Sequence, residues 1–185
     1  DEADTAERLV GEGRWEELAR LGYPAVKPLT RALAHGDGDV RRQAATVLGL
    51  IGDRRGVEAL LGALDDRSVE VRRKAVWALG KTGDPESAKG LARALDDEDA
   101  DVRARTAEVL DKLGWEPESD RERAAYLIAT RQWNKVLDYG DAAEPLLEKR
   151  SRDADPEVRE AALLVLDEIK SARELDRLLR GLKED

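Results

Sequence analysis

Between residues 22 and 115 one arrangement of side chains recurs every 31 positions. Val40-Arg41 returns as Val71-Arg72 and again as Val102-Arg103. Leu29, Leu60 and Leu91 keep that spacing, as do Leu33, Leu64 and Leu95, and Gly52, Gly83 and Gly114 close the three units. A period of this length belongs to stacked supersecondary units, each burying its apolar face on a neighbour, and not to one closed core.

Inside a unit the pattern reads as two helices. In the first, Pro24 suits the first helical position, and Val26, Leu29, Ala32 and Leu33 share a face. Pro28 falls in or just beyond the first turn, and His35-Gly36 ends this helix A. Asp37 then caps helix B, whose expected buried face is Val40, Ala44, Leu48 and Ile51. The cap column continues as Ser68 and Asp99, with an acid two places on in each unit (Asp39, Glu70, Asp101), where a carboxylate complements the helix dipole. The closing glycines suit the left-handed position after a helix, and Asp53 and Asp84 can cap the next helix A. Ahead of the repeats, Asp4 is expected to cap a first helix, and a short second one runs from Arg14 to Leu21.

At Trp115-Glu116-Pro117 the register breaks and the chain restarts at an offset of 118. Trp133 matches Trp15, Gly140 matches Gly22, Asp155 matches Asp37, and Val158-Arg159 matches Val40-Arg41. At the C-terminus Leu175, Leu178, Leu179 and Leu182 match Val57, Leu60, Leu61 and Leu64. The expected organisation is residues 1–115, a lead-in pair plus three repeats, followed continuously by residues 116–185, a second lead-in, one more repeat and a terminal half-repeat. That arrangement needs about twelve to fourteen helices and no strand.

Composition agrees with helix stacking and narrows the chemistry. Aromatic residues are only 4% and Phe is absent, so Ala and Leu must supply the packing. Charged residues reach 39%, as expected when much helix surface faces water. A net charge of −9 disfavours general binding to nucleic acid or anionic membranes. Without Cys there is no disulfide, thiolate metal site or thiol nucleophile. No apolar run approaches the roughly 18 residues of a membrane span, and no signal peptide opens the chain, so the expected compartment is cytoplasmic and the expected state a monomer. Asp1 in place of an initiator Met fits a domain taken from a longer chain.

The elements Ala-Val-x-Pro-Leu (25–29), Asp-x-x-Val-Arg-x-x-Ala-Ala (37–45) and Leu-Gly-x-Ile-Gly-Asp (48–53) resemble HEAT-like repeats of the phycobilisome-lyase type. The resemblance covers most of the chain and implies an all-α, right-handed α-solenoid in which helix B lines the inner surface. It spans adaptors, lyase chaperones and enzyme scaffolds alike, so it does not choose a function. HEAT-like deoxyhypusine hydroxylases carry repeated His-Glu pairs for iron. This chain has one His, followed by Gly36, so that site cannot be assembled. No Ser-His-Asp set or phosphate loop is signalled, and the expectation is a non-enzyme with no cofactor and no metal site.

Two sets of residues remain. Arg41, Arg72, Arg103 and Arg159 form a column that either binds phosphates or braces loop carboxylates; recurrence in every unit favours bracing. Trp15 and Trp133 are expected to pack the lead-in helices, whereas Trp77 stands in a column (Thr46, Trp77, Glu108, Leu164) with no shared apolar demand. At about 100° per residue, positions 43, 46 and 50 lie together, well away from the buried stripe of helix B, and position 42 lies further round. The candidate binding face is therefore Arg42, Gln43 and Thr46, then Arg73, Lys74, Trp77 and Lys81, then Arg105, Glu108 and Lys112. Its basic groups outnumber acids on an acidic protein, with an aromatic near the middle, which fits an acidic or amphipathic segment of another protein. Nucleic acid or another polyanion on the same face is the alternative. A structural or engineered scaffold also stays open, since Met, Phe and Cys are all absent.

Overall fold

The computed structural model describes residues 1–182. The chain divides into two compact units, Asp1–Trp115 and Glu116–Asp185. Both are built from helices, and no strand occurs among the described residues.

The first unit opens with α1 (Glu2–Gly11) and α2 (Trp15–Leu21). Asp1, not Asp4, caps α1: its carboxylate accepts from the Asp4 amide at 2.9 Å, and Asp4 bonds back to the terminal amine. Asp4 is thus the third residue of a reciprocal capping box, a role that its acid character fills equally well. Three A/B pairs follow. Their A helices are α3 (Val26–Ala32), α5 (Val57–Gly62) and α7 (Ala88–Leu91); their B helices are α4 (Gly38–Ile51), α6 (Val69–Thr82) and α8 (Ala100–Lys112). The A helices are short and run on into tight 3-10 turns at one or both ends, such as Tyr23–Ala25 and Ala92–Asp96. Asp53 and Asp84 start two of these turns by accepting from the amides of Arg55 and Glu86.

The B helices begin at the expected caps and, in α4 and α6, end at left-handed Gly52 and Gly83. Ser68 holds the cap position of α6 without a side-chain bond; Asp66 instead accepts the Ser68 amide at 2.8 Å. His35, Asp97 and Asp153 do the same for Asp37, Asp99 and Asp155, so His35 is a loop-closing acceptor through Nδ1. The buried face is wider than one stripe. Ala44 and Leu48 are buried as expected, but so are Ala45 and Val47, while Val40 and Ile51 are only half-buried. The cause is that each B helix meets an A helix and also its neighbouring B helix: α2 packs on α4, α4 on α6, and α6 on α8. Small residues set that spacing. A methyl at Gly49 would lie 2.6 Å from Trp77 Cζ3 and 2.8 Å from Ala78 Cα, so α4 and α6 touch almost backbone to backbone.

The arginine column braces the stack. Arg41 forks onto Asp66 of the next loop at 2.7 and 3.0 Å and caps the His35 and Gly36 carbonyls. Arg72 repeats this on Asp97, and Arg103 caps the Asp97 and Glu98 carbonyls. Arg159 caps Asp153 and Ala154 in the second unit.

The second unit consists of α9 (Asp120–Ala129), α10 (Trp133–Val136), α11 (Gly140–Arg150) and α12 (Pro156–Gly181). Its lead-in turn reproduces that of the first unit: Gly13 has φ 68° and the matching Arg131 φ 57°. The expected terminal half-repeat does not form a separate helix. α12 runs unbroken for 26 residues, leaving Leu175, Leu178, Leu179 and Leu182 exposed. Where Gly52-Asp53 and Gly83-Asp84 turn the chain, this unit has Lys170-Ser171, so no glycine takes the left-handed conformation and the helix continues. Residues 183–185 of the expected half-repeat lie outside the described residues.

Candidate functional site

Positions 43, 46 and 50 of α4, and their equivalents 105, 108 and 112 of α8, line clefts to which no A helix contributes a residue. The cleft between α6 and α8 has a volume of about 300 Å³. Trp77 and Lys81 come from α6; Arg105, Glu108 and Lys112 come from α8; Val76, Gly80 and Val109 form the floor. Trp77 is half-buried. One part of its ring lies on Gly49 of α4, and the Nζ atoms of Lys74 and Lys81 stand 5.5 and 5.8 Å from a ring centroid. Ammonium groups at that range are drawn to the electron-rich aromatic face. The ring therefore fills the space between α4 and α6 and forms one wall of the next cleft.

The candidate residues sort into three groups. Trp77, Lys81, Arg105, Glu108 and Lys112 share the α6–α8 cleft, with Lys74 beside the ring. Gln43 and Thr46 belong to a different cleft, of about 640 Å³, between α2 and α4. Arg42 and Arg73 are occupied within the fold. Arg42 pairs with Asp39 at 3.3 Å on its own helix. Arg73 forks onto Asp99 at 3.1 and 2.8 Å and also reaches Glu70 and Asp101. The Asp99 bond holds the Arg73 guanidinium above its ordinary value. Burial alone would push the Asp99 carboxyl up, but Arg73 and the Val102 amide outweigh it and hold the group below the usual aspartate range. By contrast, Lys74, Lys81, Arg105 and Lys112 form no ion pair among the described residues.

The column has a further member ahead of the first full repeat. Trp15 stands 31 residues before Thr46, so the column begins Trp15, Thr46, Trp77, Glu108. Trp15 lines the α2–α4 cleft, and α2 is a shortened helix B. The spacing that reveals this was present in the sequence, but packing of a lead-in helix explains Trp15 equally well until the cleft is seen.

No group of three His, Asp or Glu side chains is placed to hold a metal among the described residues, and no helix there is long and apolar enough to cross a membrane.

Against known families, a model described as HEAT repeats matches residues 26–111. The matched segment is the three A/B pairs. Human deoxyhypusine hydroxylase in complex with glycerol aligns with 92% of this chain and 96% of its own, at 17% identity and a TM-score of 0.55. That agreement shows the helical-repeat fold alone. An engineered protein aligns over 92% of both chains at 21% identity and a TM-score of 0.46. A designed armadillo repeat protein in complex with the peptide (KR)4 aligns over 89% of this chain and 90% of its own, at 20% identity and a TM-score of 0.41. No curated protein matches the sequence.

Proposed function

We propose that the first unit is a protein-interaction module whose α6–α8 cleft captures an acidic segment of another protein. The observation that supports this most is the division of labour among cations on the same helices. Arg41, Arg72, Arg73 and Arg103 are spent on loop carbonyls and carboxylates. Lys74, Lys81, Arg105 and Lys112 stand around one half-buried indole with Glu108 as the acid among them. An aromatic group ringed by charge that is net positive favours a partner segment of the opposite sign, and the charge also hastens encounter.

The test is titration of a fluorescent Asp/Glu-rich peptide monitored by anisotropy. Wild type binds, and the Lys81→Glu/Lys112→Glu variant loses binding while its far-ultraviolet circular dichroism is unchanged. Trp77→Ala is the weaker probe, because Trp77 also fills space over Gly49. Binding that ignores the double charge reversal removes the proposal. Preference for an oligonucleotide, with a steep loss as salt rises, replaces it with polyanion binding.

A further inference from the structure

The α2–α4 and α6–α8 clefts are one feature displayed twice. Each has a tryptophan from the earlier helix, Trp15 or Trp77, exactly 62 residues apart. Each has the same three positions facing it from the later helix: Gln43, Thr46 and Leu50 in one, Arg105, Glu108 and Lys112 in the other. In the interval between them the Trp77 ring lies against Gly49 of α4. The chemistry of the two clefts differs. Around Trp15 the charges neutralise each other: Arg14 is bonded to Glu12 and Glu17, and Arg20 stands 3.7 Å from Glu16. Against them stands Leu50, 61% exposed, where the second cleft carries Lys112. The first cleft thus sets Trp15, Val47 and Leu50 inside a polar rim of Arg14, Glu16, Glu17 and Arg20 that carries no net charge, and the second offers positive charge.

We infer that the α2–α4 cleft is a second binding site, which takes an apolar side chain of the same extended peptide whose acidic residues occupy the α6–α8 cleft. This rests on the acidic-segment reading above and adds the register of the ligand. Packed helices lie about 8–10 Å apart, so two helix steps separate the clefts by roughly 16–20 Å. An extended chain covers about 3.3 Å per residue, which sets the apolar residue about five or six positions from the acidic run. A shorter interval cannot reach past the Trp77 ring on Gly49. A much longer one loses the gain from tethering.

The experiment compares an acidic peptide with versions bearing a leucine about two, about six or about twelve residues from the acidic run, on either side. Affinity is read by anisotropy, and the Trp15 and Trp77 indole N–H signals by two-dimensional NMR. The expected result is about tenfold or greater tightening for the six-residue spacing alone. Both indole signals then shift, and the gain disappears in Leu50→Gln, an exposed position whose change leaves the fold intact. If the plain acidic peptide binds but leucine adds nothing at any spacing, or the gain survives Leu50→Gln, this inference is overturned while the acidic cleft stands. If no peptide binds, both fail together.

Discussion

Substitution of Gly49 by alanine puts the close approach of α4 and α6 to a direct test. Gly49 sits inside α4, where alanine normally stabilises a helix by about 1 kcal/mol. Here the added methyl would meet Trp77 Cζ3 at 2.6 Å, Ala78 Cα at 2.8 Å and Ala78 Cβ at 2.9 Å. Carbon atoms prefer about 3.5–4.0 Å, so something must yield by roughly 1 Å. Trp77 can swing out, since it is only half-buried, but Ala78 Cα is backbone and moves only with α6. Overpacking of this kind costs about 1–3 kcal/mol, and the backbone contact places it at the upper end. After the helix-propensity gain, the net loss is about 2 kcal/mol. In a chain of this size that lowers the melting temperature by roughly 4–8 °C. Gly62→Ala is the control, because nothing lies within 4 Å of the added methyl. Thermal and urea unfolding followed by circular dichroism should show Gly49→Ala below wild type and Gly62→Ala at or slightly above it. A Gly49→Ala protein as stable as wild type would refute the backbone-to-backbone contact, and with it the account of Trp77 as the wall between two clefts.

Acid should weaken the fold in a narrow range. Arg55, through its side chain and its amide, holds the Asp53 carboxyl down to about 2. Burial pushes Asp66 up, but Arg41 and the Ser68 amide outweigh it and leave it below the usual range. A carboxyl depressed in the folded state contributes fully above its unfolded value of about 3.9 and loses that contribution as pH falls toward the folded value. Melting temperature should therefore hold from neutral pH to about 5 and drop below about 4, with Asp66→Asn flattening part of the drop. In the second unit, Arg150 and Asp153 pair at 3.3 Å with side chains 2% exposed, so Asp153→Ala should destabilise that unit by about 3–5 kcal/mol in urea unfolding. Lys170→Gly with Ser171→Asp restores the missing turn signal; loss of an α12 spanning that point, seen as new NMR helix boundaries, is expected, and an unbroken helix would refute the explanation given for it.

Much of this was legible from residue spacing. A glycine that needs φ near +68° or an Asp that closes its own turn acts within a few residues, so Gly52, Gly83, Asp37 and Asp99 announce their roles locally. The period of 31 adds which units repeat, because identical packing demands identical residues in each. Asp4 shows the limit even there, since an acid serves equally as the cap or as the third residue after it. The C-terminal leucines show a larger one: they share the spacing of a buried helix but lack the glycine that would turn it inward.

The candidate face divides along the same line. Periodicity alone set Arg42, Arg73, Lys81 and Lys112 away from the buried stripe of helix B, because side-chain direction follows from helix geometry. Which of them are already engaged depends on carboxylates 26 residues distant, as with Arg73 and Asp99, and on how closely two helices meet at one glycine. Those are distances between segments far apart in the chain. They exist only once the helices have stacked, and so they, and not the pattern, decided where the clefts open and which cations line them.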